Sequence, residues 1–197
     1  MYSPKIGIIG VGWVGAQLKR YFEEIKGYKS GESLFTYDID PKKCAGGINQ
    51  ADVVFVSVPT PQNPKDGSCD TSILESAVGK LTGEKVIVLK STIPPGTTEA
   101  IQKKHPQHKV LFNPEFLSES TAWFDFMRPD RQIVGFTEKS IDVANMVLSL
   151  LPKAPFMSPW GVGTYKQTRI TATEAELIKY AGNVYFSQKV NWANALS

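Results

Sequence analysis

Three glycines, Gly10, Gly12 and Gly15, fall at the G-x-G-x-x-G spacing directly behind the apolar run Ile6-Gly7-Ile8-Ile9. Beyond them Val14, Leu18, Phe22 and Ile25 recur as one stripe of a helix, which Gly27 can close. In a strand–turn–helix setting each glycine has a physical task. Gly10 permits the tight turn, Gly12 lets backbone approach a pyrophosphate, and Gly15 lets helix and strand pack closely. The N–H groups of the helix's first turn then face the phosphates, with the helix dipole favouring negative charge. A second run, Leu34-Phe35-Thr36-Tyr37-Asp38, ends in an acid roughly 20 residues beyond Gly15, where a carboxylate on the ribose hydroxyls is expected. These residues point to dinucleotide binding. Because Asp38 would repel a 2′-phosphate, the cofactor expected is NAD rather than NADP. Lys43 either touches the adenosine end or is simply solvated.

The elements that position these residues read as a Rossmann-type, doubly wound α/β fold with a mostly parallel sheet. The link over residues 41–50 is too short for a crossover helix and another strand, so the sheet is expected to be abbreviated after its second strand. Residues 53–58 form the next buried strand, ending at Pro59-Thr60-Pro61, where prolines take the chain out of the sheet. Residues 86–89 form another, ending at Lys90-Ser91-Thr92, and residues 110–112 a third, ending at Asn113-Pro114-Glu115-Phe116-Leu117-Ser118-Glu119. Three strands thus end in hydroxyl- or carboxylate-bearing loops on the carboxyl edge, the edge where open α/β sheets hold ligands. Beside a dinucleotide turn, three such loops make a pocket.

Ser72 with Glu75 reads as a capping box opening a helix through Leu81, and another helix is expected over residues 98–104. Residues 120–131 read as irregular or a short helix, 132–136 as one strand, 140–151 as an amphipathic helix and 155–157 as a short last strand. Residues 160–164, with Gly161 and Gly163, read as loop. Thr173 with Glu176 reads as a second capping box, starting a long helix that runs to the end of the chain with Leu177, Ile178, Ala181, Val184, Tyr185, Val190 and Leu196 as apolar positions. The domain division expected is residues 1–172 for the dinucleotide domain and 173–197 for the start of a connecting helix. A helix with that much apolar surface implies a partner, either a second copy or a further domain, with a homodimer expected over a monomer. Lys179 and Asn183 are i and i+4 on it, so they share a face; taken alone they also fit a solvated stripe. Glu115 taken alone also fits a helix-entry carboxylate after Pro114.

Bulk properties narrow the classes. The 197 residues include 42% hydrophobic and 21% charged residues, ordinary for a globular protein. A net charge of +3 makes no basic surface of the kind nucleic acid needs. There is no apolar run of membrane-spanning length, and the N-terminal apolar stretch reads as the first strand rather than a leader. Cys44 and Cys69 form no disulfide framework, which fits a cytoplasmic location, and no metal-ligand cluster is evident, His105 and His108 reading as solvated loop residues.

Taken in order, Gly10-Val11-Gly12-Trp13-Val14-Gly15, Ser57-Val58-Pro59-Thr60-Pro61, Ser91-Thr92-Ile93-Pro94-Pro95-Gly96-Thr97, Asn113-Pro114-Glu115-Phe116-Leu117-Ser118-Glu119, Asp130-Arg131 and Glu174-Ala175-Glu176-Leu177-Ile178-Lys179-Tyr180-Ala181-Gly182-Asn183 resemble the UDP-glucose/GDP-mannose dehydrogenase family. The resemblance covers nearly the whole chain. It implies oxidation of a UDP- or GDP-linked sugar at C6, alcohol to carboxylate, by two hydride transfers to NAD. It further implies that Trp13, Val14, Val58, Pro59, Thr60, Ser91, Thr92 and Glu119 join the glycines, Asp38 and Lys43 at the cofactor. Thr92 would also help place a catalytic water. Glu115 would be the general base, Phe116, Leu117, Ser118 and Glu119 would line the sugar pocket, and Lys179 with Asn183 would stabilise the developing oxyanion. A base and a cation at contact distance are what removal of hydride from an alcohol requires.

Two departures stand against the resemblance. Family members carry a cysteine nucleophile downstream of the long helix and a second, nucleotide-binding domain, which these 197 residues do not contain. Neither Cys44 nor Cys69 matches that cysteine's position. The link after Asp38 is also shorter than in most members. The full two-step oxidation is therefore not expected of this chain alone. A β-hydroxyacid-type NAD dehydrogenase, which needs no cysteine, and a non-catalytic NAD-binding module are the alternative readings.

Overall fold

The computed structural model describes residues 3–158 and 169–196. The loop expected over residues 160–164 lies outside the described residues. Strand β1 (Ile6–Ile9) leads through the glycine turn into helix α1 (Trp13–Arg20), which widens into a π-helical turn over Tyr21–Ile25. Gly27, with φ of +73°, ends it in a backbone region other residues avoid. There follow β2 (Leu34–Tyr37), β3 (Val53–Val56), α2 (Ser72–Gly79), β4 (Val86–Leu89), α3 (Thr97–Lys104) and β5 (Lys109–Phe112). The remaining elements are α4 (Ala122–Met127), β6 (Arg131–Ile133), β7 (Gly135–Phe136), α5 (Ile141–Leu150), β8 (Phe156–Ser158) and α6 (Ala172–Leu196).

The main sheet has six strands in the order β2-β1-β3-β4-β5-β7. The first five are parallel, and β7 joins antiparallel to β5. Strand β2 is an edge, as the short link after Asp38 requires. What remains of a further strand is one antiparallel bridge, Thr36 to Ala45. Residues 41–50 otherwise form two single 3-10 turns, Pro41–Lys43 and Ile48–Gln50.

Side chains along the strands alternate between two apolar layers, as the period of two demands. Val53 and Phe55 join Leu18, Phe22 and Val147 on one face, while Val54 and Val56 join Leu74, Val78 and Ile101 on the other. Each fully buried Phe, Leu or Val contributes about 1.5–3 kcal/mol by leaving water. That packing holds the carboxyl edge rigid, and the site is built there.

Four local expectations are corrected. His108 is fully buried rather than solvated, and its carbonyl accepts from Gln102 Nε2 at 2.9 Å. Ser72 and Glu75 make no capping box: the N–H of Ser72 donates to Asp70 Oδ1 at 2.8 Å, and the Glu75 carboxylate reaches across to Lys104 Nζ at 2.6 Å. Thr173 and Glu176 make none either. The box is set two residues earlier, with Thr171 N–H donating to Glu174 Oε2 at 2.7 Å and Glu174 N–H donating to Thr171 Oγ1 at 3.3 Å. The [ST]-x-x-E pattern fits Thr171-Ala172-Thr173-Glu174 as well as Thr173 to Glu176, and tertiary packing chooses between them. Residues 132–136 are not one strand. The chain breaks at Val134, so β6 pairs with β8 in a separate two-stranded sheet while β7 pairs with β5. An alternation read along the sequence cannot show that a strand changes partners midway.

Candidate active site

The cofactor end is assembled by short-range structure. A Cβ on Gly10 would lie 2.5 Å from the Ser57 carbonyl oxygen, and one on Gly15 would lie 1.9 Å from the Gly10 carbonyl oxygen. Both glycines are therefore required by the protein's own backbone. A Cβ on Gly12 would meet nothing within 4 Å. The turn is bare towards the groove at that point, which is the space a bound pyrophosphate needs. The groove has a volume of about 790 Å³ and runs past Gly12, Trp13, Lys43 and Cys44.

Asp38 closes this end. Its carboxylate accepts from Val11 N–H at 2.7 Å and from Asp40 N–H at 2.9 Å. Partial burial pushes the Asp38 carboxyl up, but those backbone N–H groups and the Lys43 charge outweigh it and hold the group below the usual carboxylate range. Lys43 is not merely solvated: its ammonium donates to the Val11 carbonyl at 3.2 Å, at the mouth of the groove. Cys44 Sγ lies 3.3 Å from the Asp38 N–H.

Side-chain hydrogen bonds link the loops after β3 and β4 to the glycine turn and to each other. Ser57 Oγ donates to the Gly10 carbonyl at 2.9 Å, Ser91 Oγ to the Val58 carbonyl at 2.6 Å, and Thr60 Oγ1 to the Thr92 carbonyl at 2.7 Å. Ser91 and Thr60 thus spend their protons holding backbone, with Pro59 between them and Thr92 half-buried on the same rim. Cys69 Sγ sits over this junction, 3.9 Å from the Thr60 carbonyl oxygen and 3.8 Å from that of Thr92. Burial, then the neighbouring Cys69, pushes the Tyr180 phenol up.

The second cavity, of about 570 Å³, brings together residues far apart in sequence: Glu115, Phe116, Leu117 and Ser118 from the loop after β5, and Lys179 and Asn183 from α6. Lys179 Nζ donates to Glu115 Oε1 at 2.8 Å and to the Glu115 carbonyl at 2.7 Å. The other carboxylate oxygen, Oε2, accepts from Leu117 N–H at 2.8 Å. The pair is mostly shielded, with 9% of the Lys179 side chain and 19% of the Glu115 side chain exposed. Arg131 stacks its guanidinium 4.3 Å from the centre of the Phe116 ring and forms part of the wall. The backbone of Glu119 opens a single 3-10 turn, Glu119–Thr121, at the end of this loop. Lys179 thus faces the cavity and is buried, while Asn183, one turn on, lines the same cavity but is exposed.

Sequence reasoning missed two residues here. Lys90, only 5% exposed, lines the same cavity and donates to Asn113 Oδ1 at 2.6 Å. Glu176 is fully buried and accepts from the N–H groups of Gly96 and Thr98 and from the Thr98 hydroxyl. It ties α6, three residues before Lys179, to the N-terminus of α3. The signal for Lys90 was its place at the end of an apolar strand; for Glu176 the sequence carried no signal separable from capping.

The arrangement can bind a dinucleotide along one edge and present a carboxylate–ammonium pair beside it. Comparison with known proteins agrees. Residues 42–150 match the family described as UDP-glucose/GDP-mannose dehydrogenase family, NAD binding domain. The UDP-glucose 6-dehydrogenase of Rhizobium meliloti is 34% identical over a match spanning 85% of this chain and 38% of that protein. UDP-glucose 6-dehydrogenase 3 of Oryza sativa is 32% identical, spanning 94% of this chain and 40% of that protein. Among solved structures, a UDP-glucose dehydrogenase from Pyrobaculum islandicum superposes with a TM-score of 0.78 at 25% identity, covering 99% of this chain and 52% of that one. The chain thus spans about two-fifths to half the length of these relatives. With its NAD-type glycine turn, its acid at Asp38 and its match to that domain's model, the chain belongs to the UDP-glucose/GDP-mannose dehydrogenase family, as an NAD-binding domain.

Proposed function

We propose that this chain is the cofactor-binding and proton-abstracting part of a nucleotide-sugar 6-dehydrogenase. The observation that carries the reading is the Glu115–Lys179 contact at 2.8 Å, in a cavity on the edge that also bears the glycine turn. Gly10, Gly12, Trp13, Val14, Gly15, Asp38 and Lys43 hold the adenosine and pyrophosphate side of NAD, while Val58, Pro59, Thr60, Ser91, Thr92 and Glu119 border its other half. Bound NAD supplies the hydride acceptor.

The chain's own residues do the rest. Glu115 takes the proton of the sugar's C6 hydroxyl at a carboxylate oxygen. Lys179, whose ammonium has three donors, keeps Glu115 oriented and turns a remaining N–H towards the oxygen as its charge grows, with Asn183 one turn on as a second donor. Phe116, Leu117 and Ser118 exclude water and seat the sugar. Thr92 helps place the water needed for the second oxidation. Cys44 lies at the adenosine end and Cys69 at the junction of two loops, so neither is assigned as nucleophile. Completing the oxidation to the carboxylate is assigned to a cysteine outside these residues.

Residues 1–172 make the cofactor domain and α6 begins the connection to a nucleotide-recognising part. The exposed Leu177, Val184, Tyr185, Phe186 and Val190 of α6 favour pairing with a second copy. No helix among the described residues is long and apolar enough to cross a membrane. The free thiols of Cys44 and Cys69 favour a reducing compartment, the cytoplasm, as the place of work.

The test is NADH formation by the full-length protein with UDP-glucose and with GDP-mannose, alongside calorimetric NAD binding to the 197-residue chain. Turnover of either sugar nucleotide supports the reading. Turnover of a small β-hydroxyacid instead, or NAD binding without oxidation of any alcohol, would overturn it.

A further inference from the structure

Strand β4 delivers Ile87, Val88 and Leu89, all fully buried, and then a lysine that is buried as well. A buried ammonium is costly unless an anion pairs with it. Lys90 has no carboxylate within ion-pair distance among the described residues. Its Nζ donates to Asn113 Oδ1 at 2.6 Å and to the Asn113 carbonyl at 3.3 Å, both uncharged oxygens. Asn113 is held from its other side, its amide donating to Gln132 Oε1 at 2.9 Å and to the Ile133 carbonyl at 2.6 Å. Only Pro114 then separates this clamped residue from Glu115. A structural role alone would be met at lower cost by an uncharged side chain of similar volume.

We propose that Lys90 is a positioning residue for the Glu115–Lys179 pair: it fixes the segment that presents Glu115 and adds a second buried positive charge beneath the site where the substrate oxygen becomes negative. The proposal rests on the dehydrogenase reading above. The charges acting on Lys90 are those of Glu115 from the loop after β5 and Lys179 from α6; Asp125, Arg128, Asp130 and Arg131 complete the charged lining of the cavity. With these two lysines protonated and Glu115 ionised, two ammoniums face one carboxylate. Once Glu115 has taken the hydroxyl proton, both ammoniums stabilise the oxygen left behind, in a shielded place where charge acts strongly. Burial lowers the Lys90 ammonium to about 8, with Glu115 raising it and Lys179 lowering it further. The second charge is therefore present below that pH and lost above it.

The experiment uses the full-length protein with Lys90→Gln, which keeps a donor for Asn113 but removes the charge, and Lys90→Met, which removes both. For Lys90→Gln the expected result is a fall in kcat of about 10- to 100-fold, an unchanged KM for NAD, and loss of the alkaline limb expected of the wild type near pH 8. Lys90→Met should fall further. A Lys90→Gln protein with the wild-type kcat and pH profile would overturn the proposal.

Should both variants melt below assay temperature, the wild type alone decides. The side-chain carboxyl carbon of Glu115, labelled with carbon-13 and assigned by Glu115→Gln, should shift as Lys90 titrates near pH 8. No shift between pH 6.5 and 9.5 (about a unit and a half either side of that titration) would overturn the proposal. That resonance needs no turnover, so failure of the dehydrogenase reading and failure of the Lys90 role are read separately.

Discussion

The cofactor end and the Glu115 cavity use opposite strategies on one sheet edge. At the cofactor end a backbone turn, with the Asp38 carboxylate and the Lys43 ammonium beside it, lies open to solvent: Gly12 faces empty space and Trp13 is 53% exposed. In the cavity the groups are side chains far apart in sequence, shielded and mutually dependent: Lys179 holds Glu115 by both its carboxylate and its carbonyl. The first is a cradle that ligand completes. The second is an electrostatic assembly whose members lose their meaning singly. The difference teaches that binding and chemistry here can be damaged independently, because the hydrogen bonds through Ser57, Ser91 and Thr60 that brace the glycine turn do not include the Glu115–Lys179 pair.

Four measurements would break or sharpen that contrast. The largest effect is expected from Lys179→Met in the full-length protein, which leaves the Glu115 carboxylate shielded without its cation. Turnover should fall by about 10²–10³, and stability by on the order of 3 kcal/mol, while NAD affinity measured by calorimetry stays at the wild-type value. A matching loss of NAD binding would show that the regions are not separable.

Next come the glycines. Gly15→Ala places a methyl against the Gly10 carbonyl and should cost about 1–3 kcal/mol in chemical denaturation. Gly12→Ala, which meets nothing in the protein, should leave denaturation unchanged and lower NAD affinity instead. Equal denaturation midpoints for the two variants would remove the distinction between a glycine the fold needs and one the ligand needs.

A smaller shift is expected from Asp38→Asn. Removing the carboxylate that disfavours a 2′-phosphate should narrow the preference for NAD over NADP by roughly ten-fold, about 1.4 kcal/mol. Competition binding with the two cofactors reads it directly.

The smallest effect concerns Glu176. Burial raises its carboxyl above the ordinary value, even though Thr98 and Gly96 donate to it. A raised folded-state value means that its contribution to stability is fully present below the ordinary carboxylate range and is lost as pH rises through the folded value. Melting curves of wild type and Glu176→Gln from pH 4 to 8 (about the ordinary carboxylate value upwards) should therefore show the wild type losing ground to the variant as pH rises. A constant difference would mean that the three donors cancel the desolvation.

Local periodicity and turn chemistry already contained β1, the glycine turn, α1 and the acid at the end of β2, because the strand, turn and helix signals there are local patterns, although the structure locks them with long-range contacts such as Ser57 to Gly10 and Val11 to Asp38. The missing strand was legible too: ten residues between Asp38's turn and β3 cannot hold a crossover, and one Thr36–Ala45 bridge is all that formed. Glu115, Lys179 and Asn183 were nameable through the resemblance of their segments, but spacing alone left each with an ordinary alternative. Folding brings α6 against the loop after β5 and joins Lys179 to Glu115, while Asn183 remains exposed at the cavity rim. The exchange of partners at Val134, the box at Thr171 and the inward turns of Lys90 and Glu176 were not legible, since each depends on which surface arrives opposite. Composition and period thus determined that a parallel sheet would offer NAD a glycine turn and an acid. Only packing decided which charges would be sealed around the Glu115 cavity, because the energy of a buried charge depends on its neighbours in space and not on its place in the chain.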